Sequence, residues 1–147
     1  MKTNYLCKTL QYSIFWLMSL TWGCIMTSIG LVVAVIMLLT GHKPHRIGPH
    51  VYFKFGKGWG GVELGPFFIV CEDCDMGIVY HEAGHGIQNI IWGPLMPFVI
   101  CIPSAARYWY REYLVRSGKK RDSELPDYDA IWFEGQATRW GEKYYGV

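Results

Sequence analysis

A long uncharged segment dominates the N-terminal third of the chain. No charged residue occurs from Thr9 to Gly41, and the segment from Ile14 to Leu39 is apolar at most positions. As one helix it would be about 39 Å long, against roughly 30 Å for the hydrocarbon core of a bilayer. A cleaved signal peptide would have a shorter apolar region that ends at small residues resembling A-x-A. The pattern therefore predicts one transmembrane helix, an uncleaved signal anchor at residues 1–41.

Small residues recur within this segment. Gly23, Thr27, Gly30 and Ala34 are spaced by four, three and four positions. One face of the helix would therefore allow close approach of another helix, in a partner protein or in a homo-oligomer. Ordinary tolerance of small residues in lipid explains the same pattern equally well.

Basic residues flank the segment unequally. Two precede it and four follow it closely: Lys2 and Lys8, then Lys43, Arg46, Lys54 and Lys57. Because cytoplasmic flanks usually carry the excess of Lys and Arg, the pattern favours a cytoplasmic C-terminal domain in a single-pass protein. Long C-terminal segments also cross membranes regardless of charge, so the opposite orientation stays open.

A turn-rich segment at residues 42–50 follows, which we interpret as a linker. It contains His42, His45 and His50, separated by two prolines. Their spacing gives no preformed ligand geometry, so we expect these three side chains to be solvated.

Two strand-like segments come next. Residues 51–55 are rich in strand-forming side chains, residues 56–61 form a glycine-rich turn, and residues 62–70 are again strand-like with a break at Gly65-Pro66. This order predicts a β-hairpin.

A helix is predicted from about Met76 to Trp92. Asp73 or Asp75 would cap its N-terminus, and Gly93-Pro94 would end it. Gly84 and Gly86 inside this helix lower its intrinsic stability, which indicates that another backbone approaches closely there.

The next segment is apolar and interrupted by prolines. Residues 90–106 are uncharged but too short and broken for a regular span, so we predict a re-entrant or interfacial segment. Residues 107–116 mix aromatic and basic side chains, which suits a helix at the lipid headgroups. A soluble helix with Tyr and Trp in the core is the alternative.

The C-terminal region contains a polar loop at residues 117–126 and then a helix. Asp127 and Asp129 would cap this helix, and Gly141 would end it. The fold class predicted from these elements is α+β, with a transmembrane helix followed by one small domain at residues 51–147. Its parts are a β-hairpin, the helix near residue 80, a membrane-associated segment at 90–116 and the C-terminal helix.

Composition narrows the classes of function. The net charge of +2 and the absence of a long block of like charge argue against a nucleic-acid-binding protein. Aromatic residues make up 16% of the chain, which fits a protein in contact with membrane lipid. Cys71 and Cys74 have half of a zinc-knuckle spacing without a second pair, so a local disulfide or two free thiols is expected.

The sequence His81-Glu82-Ala-Gly-His85 carries the clearest chemistry. On a helix, residues four apart share a face, so the two imidazoles would meet at one point. Such a pair binds Zn2+, and the intervening carboxylate Glu82 is then placed to act as a general base. The alternative is a helix with two unconnected histidines.

A catalytic zinc site needs a third protein ligand, and no histidine follows His85. Glu134 is the best candidate because it lies among large apolar residues, with Ala137 one turn later allowing close helix contact. A solvated helix charge is the alternative for Glu134. Asp127 and Asp129 are the next candidates, either as ligands or as hydrogen-bond partners of a ligand. Gln88 would contact the substrate or orient a ligand, or would be a surface amide.

These motifs resemble the gluzincin branch of zinc metallopeptidases. The similarity extends over about residues 59–141 and is closest to small, uncharacterised bacterial membrane proteins that carry H-E-x-G-H-x-x-Q. The motifs that carry it are Gly58–Gly65, His81–Gln88, Gly93-Pro94-Leu95, Ile102-Pro103-Ser104 and Glu134–Ala137. The resemblance implies a zincin-like domain without naming a substrate, although the chain is far shorter than the thermolysin-like enzymes.

The expected function is therefore that of a membrane-anchored zinc metallopeptidase that hydrolyses peptide bonds. In zinc peptidases an edge strand beside the metal helix commonly binds an extended peptide substrate. A site-2-type intramembrane protease is a second interpretation, but the chain lacks the L-D-G-like aspartate that such enzymes have. A third is a non-catalytic metal-binding membrane protein that acts as a scaffold for a partner. Glu82→Gln distinguishes an enzyme from a scaffold, because a structural metal site would keep its metal and its role in the variant, whereas hydrolysis would be lost.

Overall fold

The computed structural model describes residues 2–146, with side chains from residue 6 onwards. The class is α+β, and most of the chain is helical. The helices are α1 (Lys2–Thr21), α2 (Cys24–Leu39), α3 (Met76–Trp92), α4 (Ile102–Arg116) and α5 (Trp132–Tyr145). The strands are β1 (His45–Ile47), β2 (His50–Lys54), β3 (Gly61–Leu64) and β4 (Phe67–Val70).

The prediction of one N-terminal transmembrane helix is wrong. The apolar segment is divided into α1 and α2, and the two helices meet at an angle of 98°. Within the described residues, no individual helix has both the length and the apolar character needed to cross a bilayer. Only two bent pairs, α1 with α2 and α3 with residues 97–116, reach that length and composition.

Contacts with α3 explain why the segment breaks at Trp22-Gly23. The Trp22 indole donates to the carbonyl of Ile91, with 3.3 Å from Nε1 to O, and the Asn89 amide lies 3.4 Å from the carbonyl oxygen of Gly23. Thr27 Oγ1 lies 2.9 Å from the same Gly23 oxygen and so adds a second donor at the break. Ile91 and Asn89 lie more than 60 residues along the chain from Trp22 and Gly23. The local apolar pattern therefore did not reveal the break.

The small-residue face of α2 packs inside the molecule. A Cβ on Gly30 would collide with the carbonyl oxygen of Leu64, and Ala34 lies in a cluster with Phe53. The face expected to receive another helix is therefore covered by the sheet of the same chain. All four of its residues are buried: Gly23, Thr27, Gly30 and Ala34.

The sheet has the order β1-β2-β4-β3. β1 pairs with β2 and β3 with β4, both antiparallel, whereas β2 and β4 are parallel neighbours. The predicted hairpin between residues 51–55 and 62–70 is therefore wrong. The break at Gly65-Pro66 is itself the hairpin turn, where Gly65 adopts φ 75°. As a result β3 lies at an edge of the sheet.

The segment expected as a linker contributes β1 and the first residue of β2. His45 is exposed, but His50 is fully buried, so the expected solvation is wrong for His50. Its Nε2 atom lies 3.1 Å from the hydroxyl of Tyr145, and its ring packs against Phe15. Burial lowers the pKa of His50 to about 3, so the imidazole is neutral.

The sheet lies between two helices. Side chains alternate along β2 and β4, so Tyr52 and Phe68 pack towards α3 while Phe53 packs against α2 with Ala34 and Met37. α5 packs on α3, and the turn after α3 packs on α2 and α5. α3 is consequently enclosed, which holds its polar side chains in fixed positions.

A disulfide joins Cys71 and Cys74 between β4 and α3, which agrees with the expected local disulfide. The sulfur of Cys74 lies 3.4 Å from the carbonyl oxygens of Trp59 and Gly60, the residues that lead into β3. The crosslink therefore holds the start of the edge strand beside the start of α3.

Candidate metal centre

The helix that carries the two histidines has the predicted bounds. α3 extends from Met76 to Trp92, and the Asp75 carboxylate caps it by accepting from the amide of Ile78 at 3.2 Å. It ends at Gly93, where φ is 52°.

Two points of close contact bring α5 onto α3. A Cβ on Gly84 would collide with the carbonyl oxygen of Ala137, and a Cβ on Gly141 would collide with that of Tyr80. Only glycine allows the two backbones to approach this closely. The predicted close approach at Gly84 is confirmed, and it places the first turn of α5, with Glu134, opposite the histidines.

The side chains of His81, His85 and Glu134 converge on one point. The Nε2 atoms of the two histidines lie 3.1 Å apart, and Oε2 of Glu134 lies 3.1 Å from each. Four ligands around zinc at 2.0–2.1 Å in a tetrahedron are about 3.3 Å from one another. The three atoms could therefore hold a metal ion with little movement.

Hydrogen bonds fix the orientation of His85. Its Nδ1 atom lies 2.7 Å from Oε1 of Gln88, and Nε2 of Gln88 donates to the Phe133 carbonyl and to Oε1 of Gln136, both at 2.9 Å. Because both of these partners are acceptors, the amide orientation is determined, and Oε1 of Gln88 accepts a hydrogen bond from the N–H group at Nδ1 of His85. The neutral ring then directs the lone pair of Nε2 at the convergence point.

His81 is held in a similar way, with Nδ1 2.8 Å from the hydroxyl of Thr138. Where the Thr138 hydroxyl accepts from Nδ1 of His81, three atoms that bear lone pairs face one another at 3.1 Å, and a shared proton or a bound cation relieves their repulsion. Two imidazole nitrogens and one carboxylate oxygen form a donor set that suits zinc.

The electrostatics of these three side chains agree with this arrangement. Burial opposes ionisation of Glu134, but hydrogen bonds from His81 and His85 outweigh it and lower the pKa of the carboxyl far below its usual range. Burial likewise opposes protonation of His81, yet the hydrogen bond to Glu134 raises the pKa of His81 above its usual value. Both shifts favour positive charge next to the Glu134 carboxylate, at the place that a divalent cation would take.

No protein-family model, curated protein or solved structure matches this chain. The geometry of the site must therefore carry the functional argument, and the resemblance to gluzincins stays an expectation from the motifs.

Glu82 lies beside the three converging side chains and is not one of them. It is 6% exposed and lines a pocket that His81, His85 and Glu134 also line. Gly61 of β3 lies next to it, and a Cβ on Gly61 would collide with the carboxyl group of Glu82. Burial raises the pKa of Glu82, against the lowering effect of the two histidines. A carboxyl group in this position can accept a proton from a molecule held near the convergence point.

Asp127 and Asp129 do not join the three converging residues. Both are exposed, and α5 is preceded by Ile131 without a side-chain cap, so neither aspartate caps that helix. Asp129 lies at the rim of the pocket, and the carbonyl of Asp127 accepts from Arg107 at 2.8 Å.

A pocket of about 840 Å³ adjoins the cluster. Edge strand β3 lines one part of the pocket. Residues of the π-helical turn at 97–101, of α4 and of the turn before α5 line the other parts. Sequence reasoning missed two of its residues, Glu63 and Tyr128. The Tyr128 ring lies 6.4 Å from that of His81, and its hydroxyl lies 3.3 Å from Oγ of Ser104.

The local sequence did not reveal either residue. Glu63 alternates with apolar Val62 and Leu64, a pattern that predicts an outward carboxylate, whereas Val62 is exposed and Glu63 is buried. Tyr128 stands in a turn, where no periodicity indicates direction.

Proposed function

We propose that this protein is a membrane-associated zinc metallopeptidase. The observation that carries the proposal is the triangle of His81 Nε2, His85 Nε2 and Glu134 Oε2, each 3.1 Å from the others, beside the buried carboxyl group of Glu82. Three protein ligands and a nearby carboxylate are the combination that zinc hydrolases use.

Each residue has a separate role in the proposed reaction. His81, His85 and Glu134 hold the zinc ion, and Gln88 keeps His85 in the tautomer that binds it. When bound, zinc would polarise a water molecule and the peptide carbonyl. Glu82 takes a proton as the water oxygen bonds to the carbonyl carbon. It then delivers that proton to the amide nitrogen as the C–N bond breaks.

The edge strand β3 supports a peptide as the substrate. Its outer side has no strand partner, and Gly61 lies directly beside Glu82. An extended peptide could add to this edge through backbone hydrogen bonds. Because Gly61 has no side chain, the scissile bond could approach Glu82 without obstruction.

Exposed apolar side chains support contact with lipid. α1 and α2 direct many large apolar residues outwards, and the segment that begins α4 does the same. Apolar surface of this extent is costly in water and favourable in a bilayer or at its interface. Examples are Leu10, Leu17, Ile29, Val32 and Leu39 from α1 and α2, with Phe98 and Ile102 near α4.

Metal analysis of the purified protein tests the site. We expect one zinc per chain in the wild type and loss of zinc in His85→Ala and in Glu134→Ala. His45→Ala is the matched control, because this exposed histidine lies outside the pocket and should leave zinc unchanged. Retention of zinc in the Glu134→Ala variant would contradict the proposed ligand set.

Peptidase assays of Glu82→Gln test the reaction. We expect zinc to be retained while hydrolysis of a peptide mixture falls about 10²- to 10⁴-fold, the usual contribution of a general base. Hydrolysis that survived Glu82→Gln would contradict the enzyme assignment. Stoichiometric zinc with no hydrolysis in any variant would instead favour the non-catalytic scaffold.

A further inference from the structure

Acidic side chains are concentrated in the pocket next to the metal centre. Six of the twelve acidic residues in the chain line it, and within residues 6–146, whose side chains the structure describes, no lysine or arginine does. The chain as a whole has a net charge of +2, so the acidic character is local. A cleft lined by charge of one sign attracts ligands of the opposite sign. The six residues are Glu63, Asp75, Glu82, Asp129, Glu134 and Glu142.

Glu63 is the one buried member of this set that the proposed reaction does not use. Its Oε1 atom accepts from the amide of Gly65, but Oε2 is buried without a hydrogen-bond partner among the described residues. Burial raises the pKa of Glu63 well above its usual value; the Gly65 hydrogen bond opposes this and the charge of Glu82 adds to it. An unsatisfied buried carboxyl oxygen is costly, and a ligand that reached it would remove that cost.

The pocket that Glu63 lines suits a long side chain with a charged end. Met96 and Ile100 line the same pocket and are almost fully buried, so they provide an apolar wall. Trp59, Trp109 and Tyr128 also line the pocket and offer aromatic faces to a cation. Lysine and arginine combine an apolar stem with a cationic head, and this combination matches both features.

We propose that this pocket binds a lysine or arginine side chain of the substrate, with its cationic group at Oε2 of Glu63. This specificity rests on the proposed peptidase function. The binding step does not, because it needs neither zinc nor hydrolysis. Glu63 alternatively serves only to stabilise the turn through the amide of Gly65, and the test must separate the two roles.

Binding of small probe molecules separates the role of Glu63 in cation binding from its role in the turn. Butylguanidinium carries the cation and alkyl stem, and butylurea has the same shape without the charge. We expect the full-length wild type to bind butylguanidinium at least tenfold more tightly than butylurea in isothermal titration calorimetry. Glu63→Gln keeps an acceptor for the Gly65 amide but cannot ionise opposite a bound cation, so it should abolish this preference. Glu124→Gln makes the same charge change at an exposed site outside the pocket and should behave as the wild type.

Equal binding of the two probes to the wild type, or no binding of either, would overturn the proposal. So would an unchanged preference in Glu63→Gln. Because these titrations need no turnover, failure of the zinc or peptidase tests would leave their result interpretable. A charge preference without hydrolysis would confirm the cation site and reject the enzyme.

The cleavage pattern of the wild type gives a second test that does not depend on the folding of a variant. Peptides that differ at one position near the cleaved bond, with Arg, Lys, norleucine or Glu, would be compared by kcat/KM. We expect Arg and Lys to exceed norleucine at least tenfold at one position, and Glu to be the poorest. A norleucine preference at every position would overturn the proposal while leaving the peptidase function established.

Discussion

Gln88 shows how one side chain can set the chemistry of another. Its amide is held by two acceptors, the Phe133 carbonyl and Gln136, and it therefore presents an oxygen to Nδ1 of His85. A metal ligand whose second nitrogen is fixed in this way is preorganised, because neither its tautomer nor its ring orientation must change when the metal binds.

Gln88→Leu should therefore weaken zinc binding about 10- to 100-fold, the usual effect of losing the partner of a ligand. Zinc affinity would be measured by competition with a chelator. Gln88→Glu keeps an acceptor for Nδ1 of His85 but places its second oxygen against the Phe133 carbonyl and Oε1 of Gln136, so it should restore only part of the affinity. Equal affinity in all three proteins would contradict the role of Gln88 in orienting His85.

His50 predicts a dependence of stability on pH. Its pKa is about 3 in the folded protein, against an ordinary value of 6.5. Between these values the unfolded chain binds the proton and the folded protein does not. This residue therefore makes the free energy of unfolding fall as the pH decreases from 6.5 towards 3, by up to about 1.4 kcal/mol per pH unit.

Denaturant unfolding of the wild type and His50→Gln at a series of pH values would measure this effect. Above pH 6.5 the difference in unfolding free energy between the two proteins should be constant. Below it, the wild type should lose stability more steeply than the variant, which has no titratable group at this position. Parallel pH profiles would show that His50 is not held neutral in the folded protein.

At the level of the elements, the contact between α3 and α5 determines whether the three ligands meet. Gly84→Ala would place a methyl group against the Ala137 carbonyl and push the helices apart. We expect a loss of about 1–3 kcal/mol in unfolding free energy, as for other overpacked sites, together with weaker zinc binding. Gly77→Ala is the matched control, since Gly77 is exposed in the first turn of the same helix.

Thermal unfolding with and without zinc would measure both effects. The Gly77→Ala variant should unfold within a few degrees of the wild type and respond to zinc in the same way. If Gly84→Ala gave the same result as this control, the close helix contact would not be what positions Glu134.

The elements also show which parts of the fold a sequence can predict. The bounds of α3 and its N-cap depend on neighbouring residues, so the sequence predicted the bounds correctly and limited the cap to Asp73 or Asp75, of which Asp75 is the cap. The break at Gly23 depends on Asn89 and Ile91, which are distant in the chain, so the local pattern predicted one helix instead of two. The parallel pairing of β2 with β4 likewise depends on the path of the chain between these strands, and the periodicity of the side chains carries no information about that path.

In the candidate site, too, features set by neighbouring residues were predicted and features set by distant residues were not. The spacing of His81 and His85 predicted their convergence, since a helix fixes it. Glu134 was found because the metal needs a third ligand and this carboxylate lies in an apolar setting. Glu63 was missed because the burial of its carboxyl group depends on the packing of β3 against the rest of the chain, which only the folded structure reveals.

At the level of the whole molecule, apolar surface is distributed unevenly. The sheet and α3 are enclosed, whereas α1 and α2 expose large apolar side chains along much of their length. Contact with a bilayer would explain how such a surface is maintained, even though the N-terminal segment is bent and its small-residue face is covered by the sheet. The proposed membrane association therefore depends on the outer faces of these two helices.

Flotation with vesicles tests this dependence. The wild type should rise with phosphatidylcholine vesicles in a density gradient, because Leu31 and Val35 of α2 are 52% and 46% exposed and would contact lipid. Combined Leu31→Glu and Val35→Glu substitutions should leave the protein in the dense fractions, since charged side chains are costly in hydrocarbon.

The matched control is Lys119→Gln with Lys120→Gln, which changes the net charge equally within an exposed polar loop. Wild-type protein that stayed in the dense fractions as a monodisperse species without detergent would contradict the membrane association, while the zinc and cation tests would still stand on their own contacts.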